Sequence, residues 1–143
     1  SRFGFSDVLT MFLALDASVE LFKGGVLPLS EYAERPKDRD ILVHIIVPKK
    51  NAQFNYQSVR ISQTDIPVLT CASVKDENGY RFAIGARPGR AMLFAPAGDT
   101  AEQMAEAVQN EVQTGSSLRG SAEYRRHLAG VLVRRAAQAL DAE

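Results

Sequence analysis

The sequence is poor in the side chains that hold metals or close disulfides: Cys71 is its one cysteine, and His44 and His127 are its two histidines. A lone cysteine cannot close an internal disulfide, so a reducing cytoplasm is the expected compartment. Metal sites need clustered His, Cys or carboxylate ligands, and these three residues fall on different predicted elements without ligand spacing. An excess of one charge is also lacking. Seventeen Lys and Arg balance 17 Asp and Glu, so no whole-molecule field draws in nucleic acid or an anionic membrane. The longest apolar run, Ile41 to Pro48, is interrupted by His44 and falls far short of the roughly 20 residues of a membrane span. Ser1-Arg2-Phe3-Gly4 lacks the order of a secretory signal. There is no Gly-x-Gly-x-x-Gly, no Gly-Lys-Ser/Thr phosphate loop and no Gly-x-Ser-x-Gly elbow. Nucleophilic catalysis is therefore disfavoured, because a hydroxyl without a positioned base is unreactive.

What is present is an ordinary globular composition: 143 residues, 45% hydrophobic and 24% charged. That is enough chain for one domain, or for one domain plus part of another. Ser6-Asp7 ahead of Val8, Leu9, Phe12 and Leu13 predicts an N-capped short helix ending near Asp16. Val19, Leu21 and Val26-Leu27 around Lys23-Gly24-Gly25 predict a tight hairpin. Leu29 to Glu34 adds one helical turn, which Pro36 stops. Ile41 to Val47 is β-branched and nearly all apolar, the pattern of a strand buried on both faces, with His44 as a hydrogen-bonded structural histidine inside it. The main boundary is placed after Pro48.

Beyond it, Phe54 to Ile61 alternates, and Ile66 to Val74 and Tyr80 to Ile84 flank Asp76-Glu77-Asn78-Gly79, where Asn-Gly predicts a type I′ hairpin. Arg87-Pro88-Gly89-Arg90 reads as a turn before a short strand at Ala91 to Phe94; Gly85 to Arg90 could alternatively present amides and guanidinium groups to an anion. Thr100 with Gln103 has capping-box spacing before Met104, Ala107, Val108 and Val112. Ser121 caps a long helix from Ala122 to about Leu140, with Tyr124, Leu128, Val131, Leu132 and Ala139 on one stripe. Strands followed by segregated helices predict an α+β fold, an antiparallel sheet with helices packed on one face.

Among charged residues, Asp38, Asp40, Asp65 and Asp76 could supply acid and base, although loop aspartates serve turns. His127 faces away from the stripe and is solvated. At roughly 100° per residue Arg126 and Arg134 fall on the polar side, whereas Arg135 projects among Tyr124 and Leu128. A buried charge needs a partner: a carboxylate or carbonyl cluster of its own chain, or a neighbouring subunit or cofactor. With zero net charge and no interleaved aromatics, Arg119, Arg125, Arg126, Arg134 and Arg135 do not read as a nucleic-acid surface. The residues alone describe an α+β domain without a self-contained active site.

Leu118-Arg119-Gly120-Ser121-Ala122-Glu123-Tyr124-Arg125-Arg126-His127-Leu128-Ala129, followed by Val131-Leu132-Val133-Arg134-Arg135-Ala136, resembles the ending of the FAD-binding subunits of molybdenum hydroxylases, a family that includes those of carbon monoxide dehydrogenase and xanthine dehydrogenase. Ser6-Asp7-Val8-Leu9, Leu13 to Ala17, Leu27 to Tyr32 and Asp40 to Pro48 resemble the second half of that family's FAD-binding domain, in family order. The resemblance implies that residues 1–48 are the C-terminal part of an FAD-binding domain and residues 49–143 the complete C-terminal domain. It implies FAD contact by Ser6 and Asp7, and packing of Leu42 near the isoalloxazine ring. It also implies partners: an iron–sulfur subunit and a molybdenum-cofactor subunit from which FAD takes electrons for NAD or another acceptor.

Three departures stand out. The family's two glycine-rich loops for the FAD pyrophosphate would lie before Ser6 and are missing, so the FAD site is incomplete here and a fragment is expected. Thr10 stands where proline is usual, and Gln57 where some members carry a lysine near the flavin. They leave open a second reading, a non-catalytic subunit-interaction module that keeps the C-terminal fold.

Overall fold

The computed structural model describes residues 5–36 and 39–142, and Asp38 lies outside them. Helix α1 spans Asp7–Ala14. Its N-cap is Ser6, whose Oγ accepts the Leu9 N–H at 3.1 Å, and Asp7 places an acid in the first turn, where the helix dipole favours it. The helix closes on Asp16, which takes a left-handed φ of 56°. The Ala17 N–H then bonds Phe12 O at 3.0 Å and the Asp16 N–H bonds Leu13 O at 3.1 Å, the double closure of a Schellman motif.

Strands β1 (Ser18–Leu21) and β2 (Gly25–Pro28) form the expected hairpin. The Asp40 carboxylate closes its turn by accepting the Gly24 N–H at 2.8 Å and the Lys23 N–H at 3.0 Å, so this aspartate is a turn residue. Helix α2 (Leu29–Glu34) follows, and β3 (Leu42–Ile46) pairs with the other side of β1, giving an antiparallel sheet ordered β2-β1-β3. Strand β3 is therefore an edge and not the doubly buried strand its apolar run suggests. Ile41, Val43, Ile45, Ile46 and Val47 are each exposed by 41% or more. Among the described residues nothing pairs with its free side. His44 is hydrogen-bonded, its Nδ1 2.8 Å from Glu20 Oε2 directly across the ladder, but its side chain is 67% exposed.

The second sheet is ordered β4-β5-β6-β7, all antiparallel: β4 Gln53–Val59, β5 Leu69–Asp76, β6 Gly79–Gly85 and β7 Met92–Phe94. Here β5 is the doubly buried strand, covered from Leu69 to Val74. Leu69 and Cys71, with Phe82 and Ile84 of β6, face the helices α3 (Ala101–Glu111) and α4 (Ala122–Ala142). Ala72, Val74 and Ala83 face the opposite way, onto Leu9, Leu13 and Ala14 of α1. The α+β class thus holds, with α3 and α4 on one face of the larger sheet and α1 against the other. A Cβ at Gly85 would stand 2.0 Å from Thr10 Oγ1 and 2.6 Å from Thr70 Oγ1, so glycine there lets α1 approach the sheet. The hairpin at Glu77-Asn78 is real, but Gly79 alone has a positive φ, of 100°. The ladder is regular up to Asp76 opposite Gly79, and neither Glu77 nor Asn78 is left-handed, so the two-residue turn is not type I′.

Thr100 caps α3, and Gln103 Oε1 reaches back to the Asp99 N–H at 3.1 Å. Ser121 Oγ accepts the Tyr124 N–H at 3.1 Å at the start of α4. On α4 the buried charge is Arg125, with no solvent exposure, and not Arg135, which is exposed. Its Nε donates to Val68 O at 2.9 Å, Nη1 to the carbonyls of Gly115 and Gly120, and Nη2 to Ser117 Oγ at 2.6 Å. The partner is thus a cluster of the chain's own carbonyls. The buried stripe runs Arg125, Leu128, Ala129, Leu132, Val133, Ala136 and Leu140, while Tyr124 is 45% exposed. His127 is exposed.

Candidate functional site

Ser6 at the α1 N-cap and Leu42 on β3 are 36 residues apart in sequence, and sheet pairing brings them to one pocket. Leu9 and Phe12 of α1, Val19 of β1 and Ile45 of β3 complete most of its apolar wall, around about 160 Å³. Ligand pockets usually enclose roughly 300–1,000 Å³, so this one takes only the edge of a large cofactor. Ser6 Oγ already accepts one amide hydrogen, which leaves its own O–H free to donate. The first-turn amides of α1 lack intrahelical acceptors and point the same way as the helix N-terminus.

Asp7 does not line that pocket. Its Oδ2 receives Arg60 Nη2 at 2.8 Å, with both side chains partly shielded. Arg60 comes from just beyond β4, so α1 and the larger sheet meet at this ion pair. Tyr56, on the α1-facing side of β4, brings its hydroxyl beside the same pair. That hydroxyl is buried and lies within reach of both the Asp7 carboxylate and the Arg60 guanidinium, though out of line for a well-formed hydrogen bond to either. Burial first, then the negative charge of Asp7, push the phenol pKa up to about 12.

Gln57 lies on the other face of β4, the side of Cys71 and α4, and its amide is tied to Asn55 Oδ1 at 3.0 Å. The β4 residue that reaches the α1 start is Tyr56. Strand alternation carries this signal: Tyr56, Ser58 and Arg60 share one face, and Gln57 and Val59 the other. Sequence reasoning passed over Tyr56 and Arg60. Of the remaining candidate acids, Asp65 is held by Arg119 at 2.8 Å and Asp76 by Arg81 at 2.9 Å. The Arg119 guanidinium holds the Asp65 carboxyl below its ordinary value. Cys71 is fully buried, and burial pushes its thiol up to about 12, so it is not a nucleophile.

The arginines of the Arg87-to-Arg90 loop are taken up by backbone carbonyls of neighbouring segments. Arg87 Nη1 donates to Gln113 O at 2.6 Å, and Arg90 Nη1 to Ala33 O. Among the described residues no three His, Cys, Asp or Glu side chains gather closely enough to hold a metal, and no helix is long and apolar enough to cross a membrane.

Residues 54–140 match the CO dehydrogenase flavoprotein C-terminal domain. The uncharacterised protein YgfM of Escherichia coli is 31% identical over 135 residues, covering 90% of this chain and 51% of its own length. The fold also matches solved structures. A carbon monoxide dehydrogenase from Hydrogenophaga pseudoflava superposes with a TM-score of 0.84 at 20% identity, over 99% of this chain and 58% of that one. Quinoline 2-oxidoreductase from Pseudomonas putida gives 0.80 at 17% identity, over 97% and 57%. The chain therefore spans a little over half the length of the proteins it matches.

Proposed function

The chain belongs to the CO dehydrogenase flavoprotein C-terminal domain family, and on that premise we propose that it is part of the FAD-binding subunit of a molybdenum hydroxylase. In this reading the whole protein passes electrons from iron–sulfur clusters through FAD to NAD or another acceptor, with the iron–sulfur and molybdenum centres on partner subunits. Residues 1–48 supply the tail of the FAD domain and residues 49–143 the C-terminal domain. The division falls in the stretch between β3 and β4, where one sheet ends and the next begins.

The observation that carries this reading is the convergence of Ser6 and Leu42 on one pocket, next to Asp7 and its ion pair with Arg60. FAD, when bound, supplies the redox chemistry. This chain's residues bind and orient it. The Ser6 O–H and the first-turn amides of α1 donate to polar atoms of the cofactor. Asp7, with Oδ2 held by Arg60, accepts from a cofactor hydroxyl or N–H. Leu42 with Leu9 and Phe12 gives an apolar contact for a ring edge. The rest of the cofactor is left to the half of the relatives' length that this chain does not span.

The test is the visible spectrum of the full-length protein purified with its natural partners. Flavin bands with broad iron–sulfur absorption are expected. Asp7→Ala should weaken FAD by about tenfold or more, as loss of one charge-assisted hydrogen bond does, and unchanged flavin content would remove Asp7 from the site. A colourless complex would favour the second reading, a non-catalytic interaction module, which the exposed apolar residues around β3 support.

A further inference from the structure

Arg60 is the one cation that bonds Asp7 among the described residues, and its planar fork is committed in three directions. Nη2 donates to Asp7 Oδ2 at 2.8 Å, Nη1 to the Asp65 carbonyl oxygen at 2.6 Å, and Nε to Ser58 Oγ at 3.3 Å. Asp65 is itself fixed. Its side chain accepts Arg119 Nη2 at 2.8 Å, Arg119 Nε at 3.2 Å and the Ile66 N–H at 2.7 Å. A continuous relay thus runs from the start of α1, through the loop after β4, to the loop between α3 and α4. A guanidinium bonded at Nη2, Nη1 and Nε cannot swing without breaking at least one bond, so the Asp7 carboxylate is fixed in direction as well as in charge.

We propose that Arg60 is a positioning residue of the flavin site. It aims the Asp7 carboxylate at the cofactor and offsets its charge, while Asp65 and Arg119 brace Arg60. This inference rests on the FAD reading above. It has an electrostatic consequence that a merely structural arginine would not have. A lone Asp7 carboxylate beside the flavin disfavours the reduced, anionic flavin, whereas the neutral Asp7–Arg60 pair does not. Removing Arg60 therefore lowers the flavin midpoint potential.

The experiment is a double-mutant cycle in the full-length protein, read by FAD dissociation constant and by flavin midpoint potential. Arg60→Gln should weaken FAD by about tenfold when Asp7 is present, within the range of coupling for directly paired groups, and by less than about twofold in an Asp7→Asn background. It should also shift the potential downward. Arg60→Lys keeps the charge and should hold the potential near that of the unaltered protein. It should restore affinity only in part, since an ammonium cannot span Asp7 and the Asp65 carbonyl as the fork does. Additive losses in the cycle, or a potential unmoved by Arg60→Gln, would overturn the inference while leaving FAD binding intact. Absence of flavin from the unaltered protein would overturn the FAD reading and this inference together.

Discussion

Arg125 has no solvent exposure and meets no carboxylate, yet all three of its guanidinium nitrogens are bonded. It gathers the carbonyls of Val68, Gly115 and Gly120, which lie on two separate loops, so it organises the approach to α4 from within the core. Replacing it with methionine removes the charge but strands those acceptors in a dry site. Arg125→Met should therefore destabilise the protein by about 3 kcal/mol or more, measured by chemical denaturation. Arg135→Ala should stay within about 0.5 kcal/mol, as surface changes do. If the two variants cost the same, the burial assigned to Arg125 is wrong. The sequence held the right signal, because Leu128 and Ala129 follow Arg125 at three and four residues. A stripe phased on the large Tyr124 misses the buried face, because that face is marked as much by the small residues Ala129 and Ala136 as by branched ones.

At the scale of elements, the two strands that differ most from expectation exchange roles. The run Ile41 to Val47 looks like core and lies at an edge. Strand β5 carries Thr70, Cys71 and Ser73 and is covered on both faces. Apolar, β-branched composition makes a strand fit a sheet, but coverage depends on which helices pack where, and α1 and α4 both choose β5. Turns and caps were legible because their chemistry is local: Ser6, Thr100, Ser121 and Gly79 all act within a few residues. The Asn78-Gly79 corner provides a test. No atom lies within 4 Å of where a Cβ on Gly79 would stand, so a substitution meets no clash and only the φ of 100° resists it. Gly79→Val should cost about 1–3 kcal/mol through that dihedral alone. An unchanged melting temperature would mean that the corner is built differently.

For the whole molecule, the surface around the smaller sheet is its least finished part. Val26 and Ile46 lie on the face of Glu20 and His44, and with Phe22 just beyond β1 they are exposed by 62%, 42% and 73%. Clustered apolar exposure of this kind marks an interaction surface. If this chain is about half of a flavoprotein subunit, the other half or a partner covers that face. Val26→Thr and Phe22→Ser should then change the stability of the 143-residue chain by less than about 0.5 kcal/mol, yet cost the assembled full-length protein more than about 1 kcal/mol in denaturation. Equal indifference in both would count against the fragment reading.

By itself the sequence determined what short-range physics controls: the caps, the two hairpins, the helical periods, the α+β class and, through residue-by-residue resemblance, the family. Ser6 and Leu42 were legible as site candidates only through that resemblance. Their meeting in one pocket, the pairing of Asp7 with Arg60 53 residues away, the burial of Arg125 and the edge position of β3 belong to the tertiary structure. Each depends on groups distant in the chain, and neither periodicity nor propensity carries information about which distant surface an element will meet.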